Sequence, residues 1–91
     1  MPSYFGSADI LISTANKEII QQHKPTGWTT TLEAYKFEFK CIQDCHIKIN
    51  GGDSIFFEAG YEFVIDNTDI PILTFVIVEP NIQYKYFGAH R

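Results

Sequence analysis

The chain has 91 residues, a formal net charge of −4, 45% hydrophobic residues and 15% aromatic residues. It is long enough for one domain and too apolar for a disordered segment. The acidic excess falls after residue 50, where Asp53, Glu58, Glu62, Asp66, Asp69 and Glu79 face only Lys85 and Arg91. No basic stripe follows a phosphate backbone, so nucleic acid is not an expected partner.

The start, Met1-Pro2-Ser3-Tyr4-Phe5-Gly6, has neither a basic n-region nor a signal-peptide core. No later stretch approaches the ~20 apolar residues that span a bilayer. The expectation is a chain made in the cytoplasm, unprocessed and without a membrane partner. Residues 1–31 form the least regular part of a single domain drawn over 1–91. Ala8 to Ile12 reads as a short strand. Lys17 to His23 reads as a second strand or as two turns of helix, and its β-branched isoleucines favour the strand. Lys24-Pro25-Thr26-Gly27 then breaks the chain, because proline fixes φ and glycine supplies positive φ.

After Trp28 the pattern is clear. Thr29 to Cys41 predicts a long strand, because Tyr35-Lys36-Phe37-Glu38-Phe39-Lys40-Cys41 alternates apolar and charged residues without a break. Cys45 to Ile49 predicts a strand with Cys45, Ile47 and Ile49 on one side. Asn50-Gly51-Gly52-Asp53 is a hairpin signal, since Asn-Gly suits the turns that match strand twist. Strands follow at Ser54–Glu58 and Tyr61–Ile65, with a polar turn at Asp66 to Asp69. Ile72 to Val78 is apolar on both faces, as in a central strand covered on both sides. Glu79-Pro80-Asn81 turns the chain into a last strand, Ile82 to Phe87, with Ile82, Tyr84 and Tyr86 on one face. Six or more short strands joined by tight turns predict an all-β fold, a small antiparallel β-sandwich or barrel. Phe37, Phe39, Ile47, Ile49, Phe63, Phe75, Ile77 and Tyr84 are its expected core.

The residues that carry chemistry are sparse. Cys41 and Cys45 stand in a C-x₃-C spacing followed by His46, but zinc sites draw on four ligands, usually two such pairs. Strand alternation turns both cysteines into the core and His46 away from Cys45, so neither thiol has an activating partner. Core thiols are the first reading, with a cross-strand disulfide as the alternative. A cupin-like metal site would need clustered histidines on adjacent strands, and the stretch around His46 has one. Asp66 to Asp69 reads as an Asx-rich turn and not as a calcium loop. No metal, no cofactor and no catalytic residue is expected, and the chain reads as a non-enzyme. Trp28, Tyr61, Tyr84 and Tyr86 could together form a sugar-stacking platform. Trp28 is the best of them, either at an edge of the domain or as a plug over one end of the core.

The cadence from Ile47 to Gly60, a strand, a turn and a strand ending in Glu58-Ala59-Gly60, continues through Pro71–Val78 and Pro80–Gly88. Over residues 35–88 this rhythm resembles small all-β structural proteins of tailed bacteriophages, found in capsids, tails or fibres. The resemblance implies a virion component, a homo-oligomer or a partner of other virion proteins, with no catalytic residues to carry over. The alternative is a binding module for a glycan or a protein. Candidate contact residues are Tyr4, Phe5, Ile10, Leu11, Ile12 and Trp28. Tyr4 to Ile12 holds one charge, Asp9, and could be an arm that packs on a neighbouring subunit. Pairing of that segment within its own sheet is the other reading.

Overall fold

Residues 3–90 are described in a computed structural model of the chain. Residues 1, 2 and 91, which the expected domain span includes, lie outside the described residues. The fold is all-β. Its strands are β1 (Ser3–Gly6), β2 (Leu11–Ile12), β3 (Lys17–Glu18), β4 (Ala34–Cys41), β5 (Cys45–Ile49), β6 (Ser54–Phe57), β7 (Glu62–Ile65), β8 (Phe75–Ile77) and β9 (Gln83–His90). One 3-10 turn, Gln21–His23, lies between β3 and β4.

The strands make two antiparallel sheets packed as a sandwich, not a closed barrel. One sheet has the order β1-β9-β4-β7, and β2 also pairs with β9. The other has the order β3-β8-β5-β6. Alternation along β4 and β9 decides what lies between the sheets. Phe37, Phe39 and Cys41 point inward with Tyr84 and Tyr86, and meet Ile47, Phe57, Phe75 and Ile77 of the second sheet. The Phe39 ring lies 4.7 Å from Phe75, 5.9 Å from Tyr84 and 6.0 Å from Phe57. Six of the eight expected core residues are buried, while Ile49 and Phe63 are half-buried and pack against the rest.

Several boundaries differ from expectation. The long strand begins at Ala34, not at Thr29. Gln21 supplies the reason. Its Oε1 accepts the Leu32 N–H at 2.9 Å, and its Nε2 donates to the Leu32 carbonyl at 2.8 Å and the Leu73 carbonyl at 2.6 Å. A side chain thus satisfies the backbone that a neighbouring strand would otherwise engage, and Leu32 enters the core from a loop. Lys17–His23 is neither one strand nor a helix. It is the two-residue β3 followed by the 3-10 turn, because the Glu18 carboxylate accepts the Ile20 and Gln21 N–H groups at 2.5 and 2.7 Å. β8 is shorter than the apolar run that contains it, since Asn50 Oδ1 accepts the Leu73 and Thr74 N–H groups. β8 is nonetheless internal, between β3 and β5.

The N-terminal segment has a place in its own sheet. β1 pairs with β9, Ser3 opposite His90 and Phe5 opposite Gly88, and β2 continues along the same side of β9 with Leu11 opposite Tyr84. Ser7 bridges the two short strands. Its N–H donates to the Tyr86 carbonyl at 2.9 Å and its Oγ accepts the Tyr86 N–H at 3.2 Å.

Candidate functional site

An open cleft of about 580 Å³ lies where β1, the 3-10 turn and the end of β9 meet, lined by Tyr4, Phe5, His23, Pro25, Trp28 and His90 among others. Its geometry starts at Gly88. Without a side chain there, Phe5 packs directly on the β9 backbone. A Cβ at that position would stand 2.9 Å from Phe5 Cζ. The Phe5 ring stacks on His23 at 4.8 Å, with 25° between the planes, and on His90 at 6.3 Å and 22°. Tyr4, the next residue on the strand, faces the other way and is 74% exposed.

The second wall comes from the turn after the 3-10 segment. The Trp28 N–H donates to the Pro25 carbonyl at 3.1 Å, and Gly27 takes φ +88°. That turn sets the indole edge-on to His90, 5.2 Å between ring centroids and 78° between planes. Trp28 is half-buried at one end of the sandwich.

The floor is polar at one point. Gln22 Nε2 donates to the Tyr86 hydroxyl oxygen at 3.1 Å, and the same hydroxyl lies 2.5 Å from His23 Nε2. The hydroxyl carries a proton and two lone pairs, so it meets His23 Nε2 as donor or as acceptor according to the histidine tautomer. Burial holds His23 below the ordinary histidine range. Glu18 pulls the other way, and His90 adds to the lowering.

Three of the six sequence-expected contact residues, Tyr4, Phe5 and Trp28, come together in this cleft. Ile10 and Ile12 are exposed elsewhere, and Leu11 packs against the core. The four-residue sugar platform is not assembled. Tyr84 and Tyr86 are buried, and Tyr61 leans edge-on against Phe57 at 5.0 Å. His23, His90 and Pro25 are lining residues that the sequence did not mark. They converge through β1–β9 pairing, a long-range event with no local spacing.

The other candidates lie in ordinary structure. Cys41 and Cys45 are buried free thiols. Burial pushes the Cys45 thiol up to about 12, and its neighbour Cys41 adds to the rise. His46 points outward, its Nδ1 2.5 Å from Glu79 Oε2. Asp66 Oδ1 accepts the Thr68 N–H at 2.9 Å and its Oγ–H at 2.7 Å, an Asx turn. Among the described residues, no group of three or more His, Cys, Asp or Glu side chains could hold a metal ion. Comparison with protein-family models, curated proteins and solved structures finds no match to this chain.

Proposed function

We propose that this chain is a non-enzymatic assembly subunit, a structural component of a phage particle that works through contacts with further copies of itself. The observation that carries the assembly reading is one flank of the sandwich. β6 is the free edge of one sheet and β7 the free edge of the other. The two are consecutive, and Phe57 and Phe63 hold them together at 5.7 Å. Beside these edges Ile55 and Ile70 are 47% and 80% exposed, and Phe56 and Val64, 56% and 61% exposed, stand on the outer faces of the two sheets. A groove of about 420 Å³ runs beside them, lined by Ile49, Phe63, Ile65 and Ile70 among others.

Free strand edges offer unpaired backbone groups, and proteins commonly blunt them with lysine, proline or a bulge. β6 and β7 read SIFF and EFVI, with Glu62 as the one charge. An apolar flank beside two such edges suits strand addition or face packing by a second subunit. The virion part of the proposal rests on the sequence resemblance over residues 35–88.

Sedimentation of the purified chain tests the proposal. The expected species is larger than the 10.4 kDa monomer, and a Phe56→Lys, Val64→Lys double variant should sediment as a monomer with an unchanged β-type circular dichroism spectrum. Either a wild-type chain that stays monomeric at the highest concentration reached, or a charged variant that assembles as well as wild type, overturns it.

A further inference from the structure

We propose that the β6–β7 flank of one copy docks on the opposite flank of the next copy, so that subunits join head to tail and not across a two-fold axis. The proposal rests on the assembly reading above and names the surface that meets the β6–β7 flank.

The sandwich has two flanks, and each exposes one edge of each sheet. β6 and β7 form one. The other is formed by β1, with β2 beside it, and by β3, and residues 13–16 carry the chain from β2 to β3. The two flanks differ in charge. Asp53 and Glu58 bracket β6, Glu62 begins β7, and Asp66 and Asp69 follow it, all of them exposed. Glu62 pairs with Lys40 at 3.6 Å. The carboxylates of Asp53 and Glu58 have no hydrogen-bond or ion-pair partner among the described residues. β4 and β5, the next strands in, bring Lys36, Lys40 and Lys48 against Glu38, too few to neutralise the flank.

The opposite flank lacks that excess. Asp9 is the one charge from Ser3 to Ile12. β3 adds Lys17 and Glu18, but the Glu18 carboxylate is taken up by the Ile20, Gln21 and Phe75 N–H groups. Lys24 follows the 3-10 turn, whose His23 stacks on Phe5 of β1. Lys17 and Lys24 are exposed, and neither ammonium group has a partner among the described residues.

Symmetry then separates the two modes of contact. A two-fold contact presents the same patch on both subunits. The β6–β7 flank would meet its own carboxylates, and like charges brought together oppose binding. Docked on the opposite flank, it meets Lys17 and Lys24 instead. Exposed ion pairs contribute little each, so the charges set the orientation more than the affinity. Apolar contact supplies the affinity, from exposed Ile10 and Ile12 on one flank and exposed Ile55 and Ile70 on the other. Such a contact repeats from copy to copy and closes into a ring or continues as a filament.

Sedimentation of charge-reversed variants tests the contact. The wild-type species should be larger than a dimer. A Lys17→Glu, Lys24→Glu variant should need about tenfold more protein to assemble, as should an Asp53→Lys, Glu58→Lys variant, each with a β-type circular dichroism spectrum. An equimolar mixture of the two should assemble at wild-type concentration, because every junction then joins opposite charges. Three results overturn the head-to-tail contact and leave the assembly reading standing: a wild-type species that stops at a dimer, a lysine-reversed variant that assembles as wild type does, or a mixture that does not recover. If a variant loses its spectrum, the size of the wild-type species decides. A wild-type chain that stays monomeric removes both readings.

Discussion

The Tyr86 hydroxyl and His23 Nε2 share a hydrogen bond of 2.5 Å, which joins the inner face of β9 to the 3-10 turn. Gln22 Nε2 donates to the same hydroxyl. Burial lowers the folded pKa of His23 below its unfolded value, against the pull of Glu18. The unfolded chain therefore binds the proton first as pH falls, and folding stability declines from about pH 6.5 downward until the folded pKa is passed. Glu79, also held low, loses its contribution only in the more acid carboxylate range. Thermal melts between about pH 7.5 and about pH 5, which bracket the ordinary histidine value of about 6.5, should show a falling midpoint. His23→Gln should flatten that slope. An unchanged slope in the variant would show that His23 does not carry it.

Asn50 ties the β5–β6 hairpin to the chain entering β8. Its backbone takes φ 52°, its Oδ1 accepts the Leu73 and Thr74 N–H groups at 2.6 and 3.1 Å, and its Nδ2 donates to the Pro71 carbonyl at 3.0 Å. Asn50→Ala loses both the bonds and the tolerance for a left-handed backbone. The expected cost is about 2–4 kcal/mol by urea denaturation. Asn50→Gly keeps the backbone freedom and should cost about half as much. Equal losses in the two variants would assign the whole effect to the side-chain bonds.

How much of this was legible in the sequence follows from the range of each interaction. The alternation from Tyr35 to Cys41 marks an inner face, and Phe37, Phe39 and Cys41 occupy it. Asn50-Gly51 marks a hairpin, and both residues take positive φ. These signals sit within a few residues of their consequences. The start of β4 was misjudged because Gln21 bonds the Leu32 backbone from eleven positions away. Pairing of the N-terminal segment within its own sheet was one of the two readings the sequence offered, but its partner strand at the far end of the chain has no local signal. The cleft was half legible for the same reason. Tyr4, Phe5 and Trp28 stand out as aromatics in irregular sequence, whereas His23 and His90 gain meaning only once β1 lies on β9.

Gly88 is the point at which that pairing is most sensitive. A Cβ there would stand 2.6 Å from the Lys36 carbonyl oxygen, 2.9 Å from the Phe5 ring and 3.1 Å from the Phe37 ring. The Phe5 ring can turn aside, but the Lys36 carbonyl belongs to β4 and the sheet holds it. Gly88→Ala should therefore cost about 2–3 kcal/mol, at the upper part of the range for overpacked sites. It should also displace Phe5 from His23, seen as a change in the His23 ring proton shifts. A variant within about 0.5 kcal/mol of wild type would show that β4 and β9 can part there at little cost.

Cys41 and Cys45 close the ends of β4 and β5, one from each sheet, and both are buried. Burial, with Cys41 adding to it, pushes the Cys45 thiol up to about 12. Thiolate is the reactive form, so Cys45 should resist iodoacetamide at pH values near 8.5, where an ordinary thiol is about half ionised. Unfolding in denaturant should expose both thiols to the reagent, as mass spectrometry would record. The linkage has a definite sign. The unfolded chain releases the Cys45 proton before the folded one does, so stability falls as pH rises from about 8.5. Tyr84 and Tyr86, raised by burial as well, steepen the loss at higher pH. Cys45→Ala should remove the first part of the alkaline decline and leave the tyrosine part. Rapid labelling of Cys45 in the native protein would mean that the two sheets separate at this end far more often than a closed core permits.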